Sequence, residues 1–259
     1  MSSLKTVTIA PTFSQTHTVI FLHGRGDTAE NFSFAFTRWC DSQSRSLADL
    51  FPSIKWVFPQ SEIRPLARHQ GSRISQWFDT WDIANLSEKE DLQIPGLKES
   101  VIGIREIVEQ EVDELDGQWA KVFLAGISQG GATAVHTLLN LTAAGGLDQD
   151  SRLGGLMIFS GRMPFPGRTI TETRAVLCLD GVPGDNELVR NTPALVQHCI
   201  DDHLSYIANG RAVRDSLKGF GVQVTWHEYP VGGHWLHSPN GLEDTAHWLR
   251  RHIMLTTVQ

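Results

Sequence analysis

Ser128 sits in Gly126-Ile127-Ser128-Gln129-Gly130, a G-x-S-x-G. An apolar run, Lys121–Ala125, leads directly into it and an Ala-rich stretch, Gly130–Leu141, leads out. A strand that turns sharply into a helix is the context a nucleophile elbow requires, and the helix aims its positive end at the serine. Glycines two before and two after the serine are expected where any larger side chain would strike the neighbouring strand and helix. A serine hydroxyl is a poor nucleophile near neutral pH, so a histidine base and an orienting carboxylate are needed further along the chain. His234 follows the last apolar strand run in Val231-Gly232-Gly233-His234, a turn able to swing a side chain back over a sheet. His237, three residues on, is its rival; His227, His247 and His252 read as packing or solvent-facing positions. For the carboxylate, Asp180, Asp185, Asp201 and Asp202 are candidates. Asp201 and Asp202 lie just past the run Ala194–Cys199, and spacing favours Asp202.

An acyl-transfer intermediate needs N–H donors for its oxyanion. The backbone N–H of Gln129 is one expectation. The second is the N–H of Arg25, in the glycine-rich loop His23-Gly24-Arg25-Gly26-Asp27. Four large aromatics, Trp77, Phe78, Trp81 and Trp235, fall in two segments expected over the carboxyl edge of the sheet. They are expected to line an apolar acyl site, with core packing as the alternative. The Trp-rich stretch could equally be a homodimer face.

These residues need a scaffold that places strand ends side by side. Short β-rich runs alternate with helical stretches, which predicts an α/β fold with a mainly parallel sheet and helices on both faces. The strand runs are His17–His23, Ile54–Pro59, Lys121–Ala125, Gly155–Ser160, Ala194–Cys199 and Val222–Tyr229, with Lys5–Ala10 as a further edge strand. Leu97, Val101, Ile104, Val108, Val112 and Leu115 recur at three- and four-residue steps and mark one helix. Leu204–Leu217 and the stretch from Leu242 to Ile253 mark two more. Segments 61–96 and 161–192 fit the alternation badly and read as lid or pocket insertions, or as packing over a sheet edge. One domain, 1–259, is the simplest organisation.

The motifs together resemble the acyl-protein thioesterase/carboxylesterase branch of the α/β-hydrolases. The matching pieces are Phe21-Leu22-His23-Gly24-Arg25-Gly26-Asp27, Trp77-Phe78-Asp79, Gly126–Gly131, His198–Asp202 and Gly233-His234, in family order. The resemblance implies the α/β-hydrolase fold and a serine hydrolase acting on an ester or thioester. It maps the acid to Asp202, four residues after His198. The sequence departs from the pattern at Arg25, where the family usually has an apolar residue, at Cys199, where it has glycine, and at Trp235. An acyltransferase or cyclase using the same three residues, and a non-catalytic ligand-binding relative, are the alternatives.

Composition is consistent with this reading. The 259 residues carry a net charge of −7, giving no global attraction to nucleic acid. Apolar runs are far shorter than the roughly 20 residues that span a bilayer. The amino terminus lacks a signal-peptide pattern, so the expectation is a cytoplasmic enzyme with reduced thiols at Cys40, Cys178 and Cys199. No cofactor or metal is expected; the partner is a small-molecule or acylated substrate.

Overall fold

A computed structural model describes residues 4–83, 85–141, 152–182 and 184–257. The element order is β1 (Thr6–Ile9), β2 (His17–Leu22), α1 (Ala29–Phe36), α2 (Leu47–Leu50), β3 (Ile54–Pro59), β4 (Ile63–Pro65) and β5 (Arg73–Ser75). Then follow α3 (Gln93–Glu114), β6 (Val122–Ile127), α4 (Gln129–Leu139), β7 (Gly155–Phe159), α5 (Ile170–Leu177) and α6 (Glu187–Asn191). The chain closes with β8 (Ala194–Cys199), α7 (Ile207–Gly219), β9 (Val224–Tyr229) and α8 (Asn240–Thr257).

Seven strands form one sheet in the order β1-β3-β2-β6-β7-β8-β9. Only β1 runs antiparallel, pairing Thr6 with Pro59 through Ile9 with Trp56. The interior strands β2, β6, β7 and β8 are buried along their whole lengths. That is why they read as unbroken apolar runs: helices cover both faces and no face is left for polar residues. One face packs the α3 stripe (Leu97, Val101, Ile104, Val108) with residues of α4, α5 and α7. The other packs Phe32 and Phe36 of α1 and Leu242 and Leu249 of α8 against Phe21, Phe123 and Met157.

The parallel strands put the carboxyl ends of β2, β6, β7, β8 and β9 along one edge, where loops converge. Segment 61–96 contains the β4–β5 hairpin and the start of α3. Its middle is tied down: Trp77 and Phe78 are fully buried in the core beside α3. Segment 161–192 carries α5 and α6; Phe165, Ile170, Leu177 and Leu188 extend the same core. Both segments therefore pack, and both also reach the carboxyl edge, 61–96 through Ile74, Thr80, Ile83 and Leu86 and 161–192 through Arg162. The expected helix at Leu204 starts instead at Ile207, because the Leu204 and Ser205 N–H groups are bonded to the Asp202 side chain.

Candidate active site

Strand β6 feeds straight into α4, and Ser128 occupies the joint with φ 55° and ψ −121°. A left-handed φ at a non-glycine residue is strained, and here the surroundings enforce it. A Cβ on Gly126 would fall 2.4 Å from the Gly130 carbonyl, and one on Gly130 would fall 2.4 Å from the carbonyls of Leu22 and His23. The elbow can close only with glycine at both positions. The Ser128 N–H donates to Phe159 O at 2.9 Å, which fixes the turn to the end of β7.

The candidate acid and base, Asp202 and His234, lie just past the ends of β8 and β9. The Asp202 carboxylate is buried. Its Oδ1 accepts the N–H groups of Leu204 (2.9 Å) and Ser205 (2.8 Å). Its Oδ2 lies 2.7 Å from His234 Nδ1 and 3.2 Å from His198 Nε2. Burial opposes ionisation of Asp202, but the hydrogen bonds from His198, His234 and Ser205 outweigh it and hold the carboxyl well below the usual range. An ionised carboxylate only accepts, so His234 Nδ1 carries the proton and Nε2 keeps a lone pair. His198 Nε2 also faces Ser205 O at 2.6 Å. Two acceptors around one nitrogen make it a donor, and His198 and His234 both face Asp202 Oδ2.

Asp201 has separate work. Its carboxylate accepts the N–H groups of Gly232 (3.2 Å) and Gly233 (2.8 Å). These glycines have φ of 145° and 65°. The clamp shapes the turn that presents His234. His237 is turned elsewhere: it stacks on Tyr229 with centroids 4.1 Å apart, and its Nδ1 accepts the Gly241 N–H.

Ser128 and His234 line one cavity of about 290 Å³ at the carboxyl edge, together with Gly24, Arg25, Gln129 and Trp235. Among the described hydrogen bonds none joins the Ser128 hydroxyl to His234; resting sites often hold this contact loosely and tighten it around substrate. Gly24 brings its backbone against Ser128, where an added Cβ would meet Ser128 Cβ at 3.6 Å. Among the described residues, the N–H groups of Arg25 and Gln129 bond to no protein acceptor.

The aromatic expectation needs correction. Trp235 does line the cavity and is 40% exposed. Trp77 and Phe78 do not: both are wholly buried. Their segment is stapled beneath the site. Trp77 N donates to Gln129 Oε1 (2.9 Å), Gln129 Nε2 donates to Phe78 O (2.7 Å), and Trp77 Nε1 donates to His23 O (2.8 Å). At that depth backbone N–H and C=O groups need hydrogen-bond partners, and these bonds supply them. Trp81 borders an adjoining depression with Arg68 and His69, its ring 3.1 Å from Lys89 Nζ. Apolar contact in the cavity comes from Ile74, Ile83, Leu86 and Leu204, which sequence reading did not single out. Nor did it single out Ser160 and Arg162, although they directly follow β7, whose carboxyl end abuts the elbow. The strand-end position was the available signal.

The profile of the phospholipase/carboxylesterase family matches residues 4–253. The chain belongs to that family. Among its relatives is acyl-protein thioesterase 1 of Gibberella zeae, 29% identical over 250 residues, covering 95% of this chain and 94% of that protein. Carboxylesterase SOBER1 of Arabidopsis thaliana is 26% identical, covering 91% and 90%. The crystal structure of Zea mays acyl-protein thioesterase 2 shares the fold, with a TM-score of 0.72 at 22% identity, over 96% of this chain and 99% of that one. Among the described residues of this family member, no helix is long and apolar enough to cross a membrane.

Proposed function

We propose that this phospholipase/carboxylesterase family member hydrolyses a carboxylic ester or thioester through an acyl-enzyme on Ser128. The observation that carries the reading is the 2.7 Å contact between buried Asp202 and His234, whose ring shares a cavity with a serine on a strained strand-to-helix joint.

In this reading His234 Nε2 takes the Ser128 proton as Oγ attacks the acyl carbon. Negative charge develops on the former carbonyl oxygen, and the N–H groups of Gln129 and Arg25 receive it. The amino end of α4 adds a favourable field. His234, now an imidazolium stabilised by Asp202, returns the proton to the departing alcohol or thiol. A water molecule gives up a proton to His234 and attacks the acyl-enzyme; as that intermediate collapses, His234 returns the proton to Ser128 Oγ and the carboxylic acid leaves. Donors fixed in the backbone need no rearrangement as charge appears, which is where most of the acceleration arises.

A fluorophosphonate probe tests this directly. It should label Ser128 in the wild type and leave Ser128→Ala unlabelled, with loss of turnover on an acyl series of aryl esters and thioesters. Labelling elsewhere with Ser128 unmodified overturns the assignment.

A further inference from the structure

The chemistry above uses neither guanidinium in the cavity wall. Arg25 and Arg162 both line the cavity. Arg25 Nε donates to Gln76 Oε1 at 3.0 Å, and Arg162 Nη2 donates to Thr80 Oγ1 at 2.9 Å. Both acceptors are neutral. Arg162 Nη1 is screened from solvent with no hydrogen-bond partner, and so is the hydroxyl of Ser160, two residues earlier in the same wall. The Arg162 guanidinium lies 5.4 Å from the Phe78 ring.

Asp79 acts on Arg25 and Glu90 on Arg162 through charge alone; their hydrogen bonds go to other groups. Asp79 accepts the N–H groups of Ala67 (2.7 Å) and Thr80 (2.9 Å). Glu90 accepts the Phe165 N–H (3.0 Å) and sits 3.9 Å from Arg168. Asp27, the one carboxylate among the described cavity-lining residues, accepts the Thr28 N–H (2.8 Å). Burial and the positive charge of Arg25 lower the Arg162 pKa to about 10, so it stays charged at neutral pH. A cationic N–H and a hydroxyl left without hydrogen-bond partners at depth are costly. A bound anion removes that cost.

We propose that Arg162, with Ser160 and Arg25, forms a carboxylate subsite, so that preferred substrates carry a free carboxylate besides the scissile ester or thioester. Arg162 Nη1 and the Ser160 hydroxyl are donors without partners in one wall, and a planar guanidinium suits a carboxylate. The proposal rests on the hydrolase reading and deepens it by naming a substrate class. The carboxylate can belong to the acyl half, as in a half-ester of a dicarboxylic acid, or to the leaving group.

Two matched pairs separate these sources. The acyl pair is 4-nitrophenyl hemiglutarate against 4-nitrophenyl pentanoate. The leaving-group pair is the acetyl ester of 4-hydroxyphenylacetate against that of its amide. For one pair the wild type should favour the charged member by about tenfold or more in kcat/KM, as a charge-assisted hydrogen bond allows. Arg162→Gln should cut that ratio at least tenfold, whereas Arg162→Lys, which keeps the charge, should retain more of it. Arg25→Gln gives a second reading of the ratio if Arg162→Gln does not fold. Glutarate should raise the melting temperature of the wild type and slow fluorophosphonate labelling, and should do neither in Arg162→Gln. A wild type that labels at Ser128 yet prefers the neutral member of both pairs and ignores glutarate overturns the subsite and leaves the hydrolase reading standing. Failure of Ser128 to label overturns the hydrolase reading, and the glutarate melting shift then still decides the anion site.

Discussion

At the scale of single residues, two adjacent aspartates divide the labour around His234. Asp202 touches the ring, while Asp201 holds the backbone that carries it. Asp202→Asn should lower kcat on the order of 10⁴-fold, because an amide can stabilise the wrong tautomer of His234. Asp201→Asn should cost far less, since its loss loosens a turn and leaves the proton on the correct nitrogen. Steady-state kinetics of the two variants checks the ranking; a larger loss in Asp201→Asn would place the essential carboxylate there. The aromatics divide as sharply. Trp77→Ala should destabilise by about 3–5 kcal/mol, as expected for a wholly buried ring. Trp235→Ala should leave the melting temperature nearly unchanged and shift acyl-length preference. Residue types and order in the sequence were enough to nominate Ser128, Asp202 and His234, because each sits just past a strand. They could not separate wall from core among the aromatics, since both uses draw on the same side chains. The hydrogen bonds that the Gln129 side chain accepts from Trp77 N and donates to Phe78 O decide the matter and join positions far apart in the chain.

Among the elements, the β6–α4 joint is the most constrained. Gly126→Ala would force a Cβ to within 2.4 Å of backbone atoms that cannot move without opening the elbow. It should cost at least about 1–3 kcal/mol, at or beyond ordinary overpacking, and abolish fluorophosphonate labelling. Urea denaturation and labelling on one preparation check both; a stable, labelling Gly126→Ala would show that the elbow has slack. The strands were readable because interior parallel strands leave no polar face. Helix α1 escaped notice: it is only eight residues long, and its signals are the Thr28 cap on Asn31 N and the Phe32/Phe36 pair. The β4–β5 hairpin escaped because three-residue strands carry too little alternation to register.

For the molecule as a whole, acidity acts through histidines kept neutral by the fold. Burial lowers His17 to about 4, with Lys121 contributing, and burial lowers His136 to about 4. The unfolded chain takes up these protons near pH 6.5, so below that value it binds more protons than the native state. Their contribution to stability is full above about 6.5 and is lost as pH falls toward 4. The Asp202 contribution, from a depressed carboxyl, is lost only below about 4. The urea midpoint should therefore fall between pH 7 and 5, and His136→Leu should show a shallower fall; a parallel profile would mean that His136 protonates without unfolding. The topology also fixes how the cavity wall responds to damage. Residues 67–73 at the hairpin tip are exposed, whereas Gln76–Phe78 are buried and tied to His23 and Gln129. Trypsin acting at Arg68 or Arg73 would cut the tip and leave those ties intact. The nicked protein should remain a non-covalent two-piece enzyme that elutes at its original size, separates into two fragments only under denaturant and retains most of its esterase activity. Prompt inactivation on that first cut would mean that the tip's covalent continuity, and not the buried staple, keeps the wall in place.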